Sequence, residues 1–253
     1  MEGAAVLERL SVRRAITWRT ATVAGISEET ARARTIVLDV PEWPGHVAGQ
    51  HVDVRLTAED GYQAQRSYSI ASAPEDPRVV LTVEGLEDGE VSSYLAGDLL
   101  EGDEFEIRGP IGGHFTWSVD DGGPLLLLAG GSGLVPLMSM LRHRAAQAST
   151  IDTRVLISVR RPEDAIYRDE LLALGTGEQL DIRWTYTRSP APEPGGWTGH
   201  VSAAMLDELG PPAAAAPRAF VCGPTGFVEH CAGLLVAAGH DPERIRTERF
   251  GPT

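Results

Sequence analysis

Two short runs and one cysteine in this chain have the residue types and placement to meet a phosphate-bearing ligand. Gly130-Gly131-Ser132-Gly133 directly follows an unbroken apolar stretch, Leu125 to Ala129. Glycines there let the backbone turn tightly and approach a diphosphate, and the N–H groups of the helix start face the anion. Pro136 stands where a GxGxxG fingerprint has its third glycine. Proline suits a first helical turn, where its missing N–H leaves no bond unmade. A plain strand-to-helix turn is the alternative, and the position at the first strand–helix unit favours a cofactor. Ser92 and Ser93 open a predicted helix, which they can cap with their hydroxyls or which can itself bind phosphate. Cys222 ends a predicted strand, and ligands of open parallel sheets lie at the carboxyl ends of strands. A small buried cysteine is the plainer reading there, and it is the preferred one for Cys231, mid-helix on an apolar face.

Other chemistries are excluded. Cys222 and Cys231 alone cannot build a disulfide framework, a zinc finger or an iron–sulfur cluster. The seven histidines are scattered without metal spacing, so no metal is expected. A formal charge of −14 argues against nucleic-acid binding. All 22 basic residues are arginine, and lysine and asparagine are missing, a pattern that codon usage in a GC-rich genome explains. The longest apolar run is too short to span a bilayer, and Met1 to Leu10 lacks the pattern of a signal peptide. A cytoplasmic protein is expected.

The elements that must position these residues fall into two groups. Thr17–Ile26, Ala33–Val40, His51–Leu56, Ser67–Ala71, Val79–Glu84 and Glu104–Arg108 are short, β-branched or alternating, and turn clusters separate them. Only Val91–Leu100 reads as a helix in this half, so an antiparallel β-barrel is expected. After Asp120-Asp121-Gly122-Gly123 the rhythm changes to strand–helix alternation: strands at Leu125, Arg154–Val159, Leu180–Thr187 and Ala219–Cys222, helices at Val135–Ala148, Tyr167–Leu174, Val201–Leu209 and Thr225–Ala238. That predicts an α/β domain with a parallel sheet covered on both faces. The expected domains are 1–119 and 120–253.

With these elements in place, the chain resembles the ferredoxin–NADP reductase superfamily over nearly its whole length. Five motifs occur in the family's order. Arg66-Ser67-Tyr68-Ser69 is similar to the RxYS flavin motif, and Gly89-Glu90-Val91-Ser92-Ser93-Tyr94-Leu95 to the second flavin element. Gly109-Pro110 with Gly112, Gly113 and Phe115 resembles the turn closing the barrel. Gly131-Ser132-Gly133-Leu134-Val135-Pro136 resembles the nicotinamide diphosphate loop, and Cys222-Gly223-Pro224 the CGP element. The resemblance implies a flavin-binding barrel holding FAD, in preference to FMN, without a covalent bond. It implies that Arg66 forks onto the flavin diphosphate, Tyr68 stacks on the isoalloxazine and Ser69 bonds near N5. Ser67, Val91, Ser92 and Ser93 belong to the same site. Cys222 then lies beside the nicotinamide ring. Glu248 and Phe250 match the acidic residue and terminal aromatic that lie over the flavin in plant-type members, although Phe replaces Tyr and three residues follow it.

The donor is NADPH or NADH. Acids after the second strand of such domains favour NADH, and arginines favour NADPH. Arg160-Arg161 stand there, and Thr187-Arg188 is similar to the pair holding the 2′-phosphate in NADP members. Glu163 and Asp164 follow closely, and Asp164 can bind a ribose. NADPH is the preferred reading. A hydride passes from nicotinamide to flavin and the flavin releases electrons singly, so no acid–base pair is needed. Ser69, Cys222 and Glu248 are the residues expected nearest the reaction. With too few cysteines for a 2Fe–2S centre, the acceptor is expected to be separate: a ferredoxin or oxygenase component, or a small molecule as in free flavin, ferric or quinone reductases. A non-catalytic flavoprotein subunit ranks last. An acidic ferredoxin would need an arginine patch, for which Arg9, Arg13, Arg14 and Arg19, or Arg32 and Arg34, are candidates.

Overall fold

The computed structural model describes residues 16–86, 88–175 and 179–251. Six strands come first: β1 (Trp18–Thr30), β2 (Ala33–Asp39), β3 (His51–Thr57), β4 (Gln63–Ser69), β5 (Val79–Glu84) and β6 (Glu104–Ile111). They pair antiparallel in the order β4-β3-β6-β1-β2-β5. The two outer strands meet through an Ile70–Leu81 bridge, which curls the sheet into a barrel. Inward residues such as Val23, Ile36, Val52, Leu81 and Ile107 fill it, and along β6 they alternate with outward ones as a half-buried strand requires. Helix α1 (Glu90–Gly97) plugs the barrel with Val91 and Leu95.

The second sheet contains β7 (Leu125–Gly130), β8 (Thr153–Val159), β9 (Leu180–Tyr186), β10 (Trp197–Thr198), β11 (Arg218–Pro224) and β12 (Ile245–Phe250). All its pairings are parallel, in the order β10-β9-β8-β7-β11-β12. β7 is buried at every position, as its unbroken leucine run demands. Leu125, Leu127 and Ala129 meet α2 (Leu134–Ala146) and α3 (Arg168–Leu174), while Leu126 and Leu128 meet α4 (Ala203–Leu209) and α5 (Thr225–Ala237). Helices therefore cover both faces.

Four expectations on elements need correction. β4 runs from Gln63 to Ser69 and not to Ala71, because Ile70 turns away to bridge β5. The C-terminal segment, read as a site tail, is a full strand. β12 borrows its pairing from β11, so its mixed sequence IRTERF carries no strong signal of its own. β10 was also missed, which makes β11 the fifth strand of this sheet in chain order. Finally, α1 opens at Glu90 behind Gly89, ahead of Ser92 and Ser93.

The two sheets share one apolar cluster in which Ala48, Ala71, Phe115 and Trp117 of the first half pack with α2 and β7. Polar bonds reinforce it. Ser139 Oγ donates to the Ser72 carbonyl at 2.6 Å, and Arg142 Nη1 to that of Ala71 at 2.9 Å. The buried Tyr167 hydroxyl bonds Thr82 Oγ1, and Arg246 Nη1 reaches the Thr116 carbonyl at 2.7 Å. Packing across the boundary fixes how the carboxyl ends of the parallel strands face the barrel. No helix among the described residues is long and apolar enough to cross a membrane.

Candidate functional site

A cleft of about 240 Å³ opens at the carboxyl ends of β7, β8, β9 and β11. Gly131, Ser132, Arg160, Asp164, Thr187, Pro224 and Phe250 line it, and Thr30, Arg32 and Glu84 form its barrel wall. Gly131 adopts φ +55 and faces open space, the condition for close approach of a ligand to backbone. Gly133 serves differently, since a Cβ there would lie 2.3 Å from the Cys222 carbonyl oxygen. Its glycine brings α2 against β11. Pro136 is buried in the first turn of α2 and presents nothing to the cleft. Gly223 sits against the Phe227 ring, which supports the loop from behind.

The arginines after β8 and β9 separate. Arg160 lines the cleft, whereas Arg161 points to solvent and lies 3.9 Å from Glu163. Thr187 Oγ1 donates to the Val159 carbonyl at 3.4 Å, and the Arg188 N–H to the Arg160 carbonyl at 2.9 Å. Among the described residues, neither Arg160 nor Arg188 has a carboxylate partner, unlike the ten arginines that pair with Asp or Glu.

The barrel offers a second cluster of unspent N–H donors. Arg66 is exposed, lacks a carboxylate partner among the described residues, and spends one bond of 2.6 Å on the Gln65 carbonyl. Free N–H groups of the first turn of α1 lie on the neighbouring element. The serines themselves turn inward. Ser92 Oγ donates to the Gly89 carbonyl and accepts from the Leu86 N–H, and Ser93 Oγ donates to the Glu90 carbonyl. Val91 is core. Glu90, which would repel an anion, is held aside by the Tyr62 hydroxyl at 3.1 Å. Ser67 faces the other way, donating to Asp53 Oδ1 at 2.6 Å beside the Arg108–Asp53 ion pair. Tyr68 is half-buried with its hydroxyl pushed up to about 12 by burial, so it remains a neutral ring.

The tertiary structure brings Ser69, Cys222 and Glu248 together and adds His51. Ser69 pairs with His51 across β4 and β3, and Cys222 with Glu248 across β11 and β12. His51 Nδ1 lies 3.8 Å from Glu248 Oε1, joining the two pairs over the domain boundary. Burial, followed by the Glu248 charge, pushes the Cys222 thiol well up, so it offers a small soft surface and no thiolate. Burial raises the Glu248 carboxyl to about 7. Phe250 pairs with Pro224 and lines the cleft opposite its barrel wall. His51, His200 and Phe227 escaped the sequence reading, since each sits in an ordinary strand, loop or helix pattern with no motif around it.

The raised Glu248 acid carries a pH signature. The unfolded chain releases this proton above 4.5 and the folded chain only near 7, so the folded form holds the extra proton between. Stability from this group is therefore full below 4.5 and lost as pH rises through 7. The side chain is 27% exposed, so the loss is about 2–3 kcal/mol. Glu248→Gln is expected to remove that slope and to exceed the wild type in stability at pH 8, by denaturant unfolding at pH 5 to 8; parallel curves for the two proteins refute it.

Residues 20–117 match the oxidoreductase FAD-binding domain and residues 127–233 the oxidoreductase NAD-binding domain. The chain is 39% identical over 182 residues to ferredoxin–NADP reductase B of Sorangium cellulosum, covering 70% of this chain and 73% of that protein. It belongs to the ferredoxin–NADP reductase superfamily, and its paired domains are those of a flavin-dependent NAD(P)H oxidoreductase using FAD. More particularly, it is 33% identical over 208 residues to the glycine betaine monooxygenase reductase subunit of Pseudomonas aeruginosa, covering 81% of this chain and 56% of that protein. The chain thus spans little more than half the length of that relative. The FAD/NAD-binding domain of nitric oxide dioxygenase from Vibrio cholerae O1 biovar El Tor superposes with a TM-score of 0.82 at 25% identity, over 92% of this chain and 99% of that one.

Proposed function

We propose that this protein takes electrons from NADPH through FAD to a separate one-electron acceptor protein, a ferredoxin or an oxygenase component. The observation that carries the reading is the meeting of the two sites: Ser69 and His51 from the barrel face Cys222 and Glu248 from the parallel sheet, bridged at 3.8 Å. FAD supplies the redox chemistry, accepting two electrons together and releasing them singly. The chain's own residues supply position and charge. Arg66 and the α1 N–H groups fit the flavin diphosphate, and Tyr68 the flavin ring. Gly131, Ser132 and the α2 start fit the nicotinamide diphosphate, with Cys222-Gly223-Pro224 bordering its ring. Ser69 and Cys222 would border the two cofactor ends and orient them. The working domain division is 1–119 and 120–253, in the cytoplasm.

Two unpaired arginines, Arg160 in the cleft and Arg188 beside it, support NADPH over NADH. Asp164 in the same cleft is the observation for NADH. Arg188→Ala is expected to lower kcat/KM for NADPH about 10- to 100-fold while NADH stays within about twofold, as loss of a charge-assisted contact predicts. Equal losses with both donors contradict the assignment.

The acceptor proposal draws on relatives that are oxygenase reductase components. Arg32 and Arg34, a candidate docking patch, lie 3.2 Å from Glu84 and 3.8 Å from Glu28, which offset their charge. Arg19 donates to the Thr17 carbonyl, while Arg9, Arg13 and Arg14 lie outside the described residues. Steady-state turnover decides: faster NADPH-dependent reduction of a ferredoxin–cytochrome pair than of free FMN or a ferric chelate supports the reading. Turnover with the small molecules alone replaces it with a free flavin, ferric or quinone reductase.

A further inference from the structure

Ser69, His51, Glu248 and Cys222 form a row across the domain boundary, and one member of it has no assigned part. His51 Nδ1 approaches Glu248 Oε1 to 3.8 Å, which is too long for a hydrogen bond and within a small shift of one. Among the described residues, the other carboxyl oxygen, Oε2, is buried without a hydrogen-bond partner. A buried carboxyl with an unmade bond calls for a neighbour that can supply one.

The groups around this carboxyl leave His51 as the side chain placed to anchor it, through Oε1. On β12, Arg246 is spent on the Thr116 carbonyl and Arg249 bonds Thr247 at 3.4 Å. On β11, Cys222 stays protonated. On β3, Asp53 faces His51 but is held by Ser67 and by Arg108. Beyond β6, Gly112 packs on the His51 ring, and a Cβ there would stand 3.4 Å from Nδ1. Any side chain at 112 would crowd the imidazole from behind.

We propose that His51 is a positioning residue for the reductase reaction: it holds the Glu248 carboxyl against Cys222 and shares one proton with it across the domain boundary. Burial lowers the imidazole and raises the carboxyl to about 7, so the carboxyl, and not the ring, carries the shared proton as pH approaches neutrality. Transfer moves the proton from Nδ1 to Oε1 and needs no further reactant. At 3.8 Å each group is placed to sense the charge of the other. Through this pair the barrel orients a group of the parallel sheet that no element of that sheet reaches with a hydrogen bond. The inference rests on the reading that Ser69 and Cys222 border the reacting ends of the two cofactors.

The test is an NMR titration of the imidazole Cε1–H resonances in the flavin-loaded full chain, for wild type and Glu248→Gln. His51 is assigned by its loss in His51→Gln or His51→Asn. In the wild type, the His51 resonance is expected to record two steps, its own below 6.5 and a second near 7 from Glu248; Glu248→Gln should keep the first alone. A single identical step in both proteins overturns the proposal. The titration needs no turnover, so it stands even if the donor or acceptor reading fails, and it decides the matter if His51→Gln does not fold. With a folded His51→Gln, flavin reduction by NADPH should slow about tenfold with KM within about twofold. Its pH profile should also lose or displace the inflection near 7, and a profile superposing on the wild type overturns the positioning role.

Discussion

Gly133→Ala is expected to destabilise the protein by about 3 kcal/mol and to raise KM for the nicotinamide donor at least about tenfold. The new Cβ would stand 2.3 Å from the Cys222 oxygen, 2.5 Å from its carbonyl carbon and 2.7 Å from the Gly223 nitrogen. All three are backbone atoms of β11, which is hydrogen-bonded on both sides by β7 and β12 and has no room to retreat. The strain must therefore lift α2. That helix buries Leu134, Leu137, Met138 and Leu141 in the shared core and carries Ser139 and Arg142 to the barrel. Moving it opens the domain boundary and re-aims Gly131 and Ser132 in the cleft, which couples the stability loss to the KM. A thermal melt should drop by about 6–12 °C. Gly226→Ala is the control, since nothing lies within 4 Å of a Cβ there and the site is in a helix. It is expected to be neutral or slightly stabilising. A Gly133→Ala protein that melts and binds its donor like the wild type would remove the close-packing role of this glycine.

Arg66→Ala is expected to weaken FAD binding about 10- to 100-fold, so that the purified variant is largely colourless and regains activity only with added FAD. The guanidinium is exposed and makes a single bond to the Gln65 carbonyl, so the fold does not depend on it. The melting temperature of the apoprotein should stay within about 1–2 °C of the wild type, since surface changes away from structural features cost little. Arg55→Ala is the instructive contrast. Arg55 is tied to Glu106 by two bonds of 2.6 and 2.8 Å and lies over the Trp18 ring, so it is structural and its loss should leave flavin affinity unchanged. Flavin retained at wild-type affinity by Arg66→Ala would move the diphosphate site elsewhere, most directly to the α1 N–H groups alone.

Much of the arrangement is legible along the chain because it depends on neighbours in sequence. The leucine run of β7 can only be a doubly covered strand, and it dictates where Gly131 turns. The alternation of β2, β3 and β6 reports one wet face and one dry one. Arg66-Ser67-Tyr68-Ser69 reads as a motif because a strand presents its residues at fixed intervals. Roles within a motif are less legible. Ser67, Ser92 and Pro136 belong to the right segments, yet their side chains face Asp53, the Gly89 turn and the core of α2. Alternation names a face but not what lies opposite it.

What the sequence by itself determined is the list of parts: a barrel, a parallel sheet, a glycine turn at its first strand, and arginines after its second and third strands. Periodicity and turn chemistry are local, and local physics suffices for these. Which residues share a site was decided by tertiary structure. β12 exists only because β11 offers it an edge, and that pairing alone sets Glu248 beside Cys222. The 3.8 Å approach of His51, almost two hundred positions away, depends on how the barrel docks on the sheet through Tyr167, Ser139 and Arg142. Contacts across such a span are set by the packing of two surfaces, and no local run of residues records that packing.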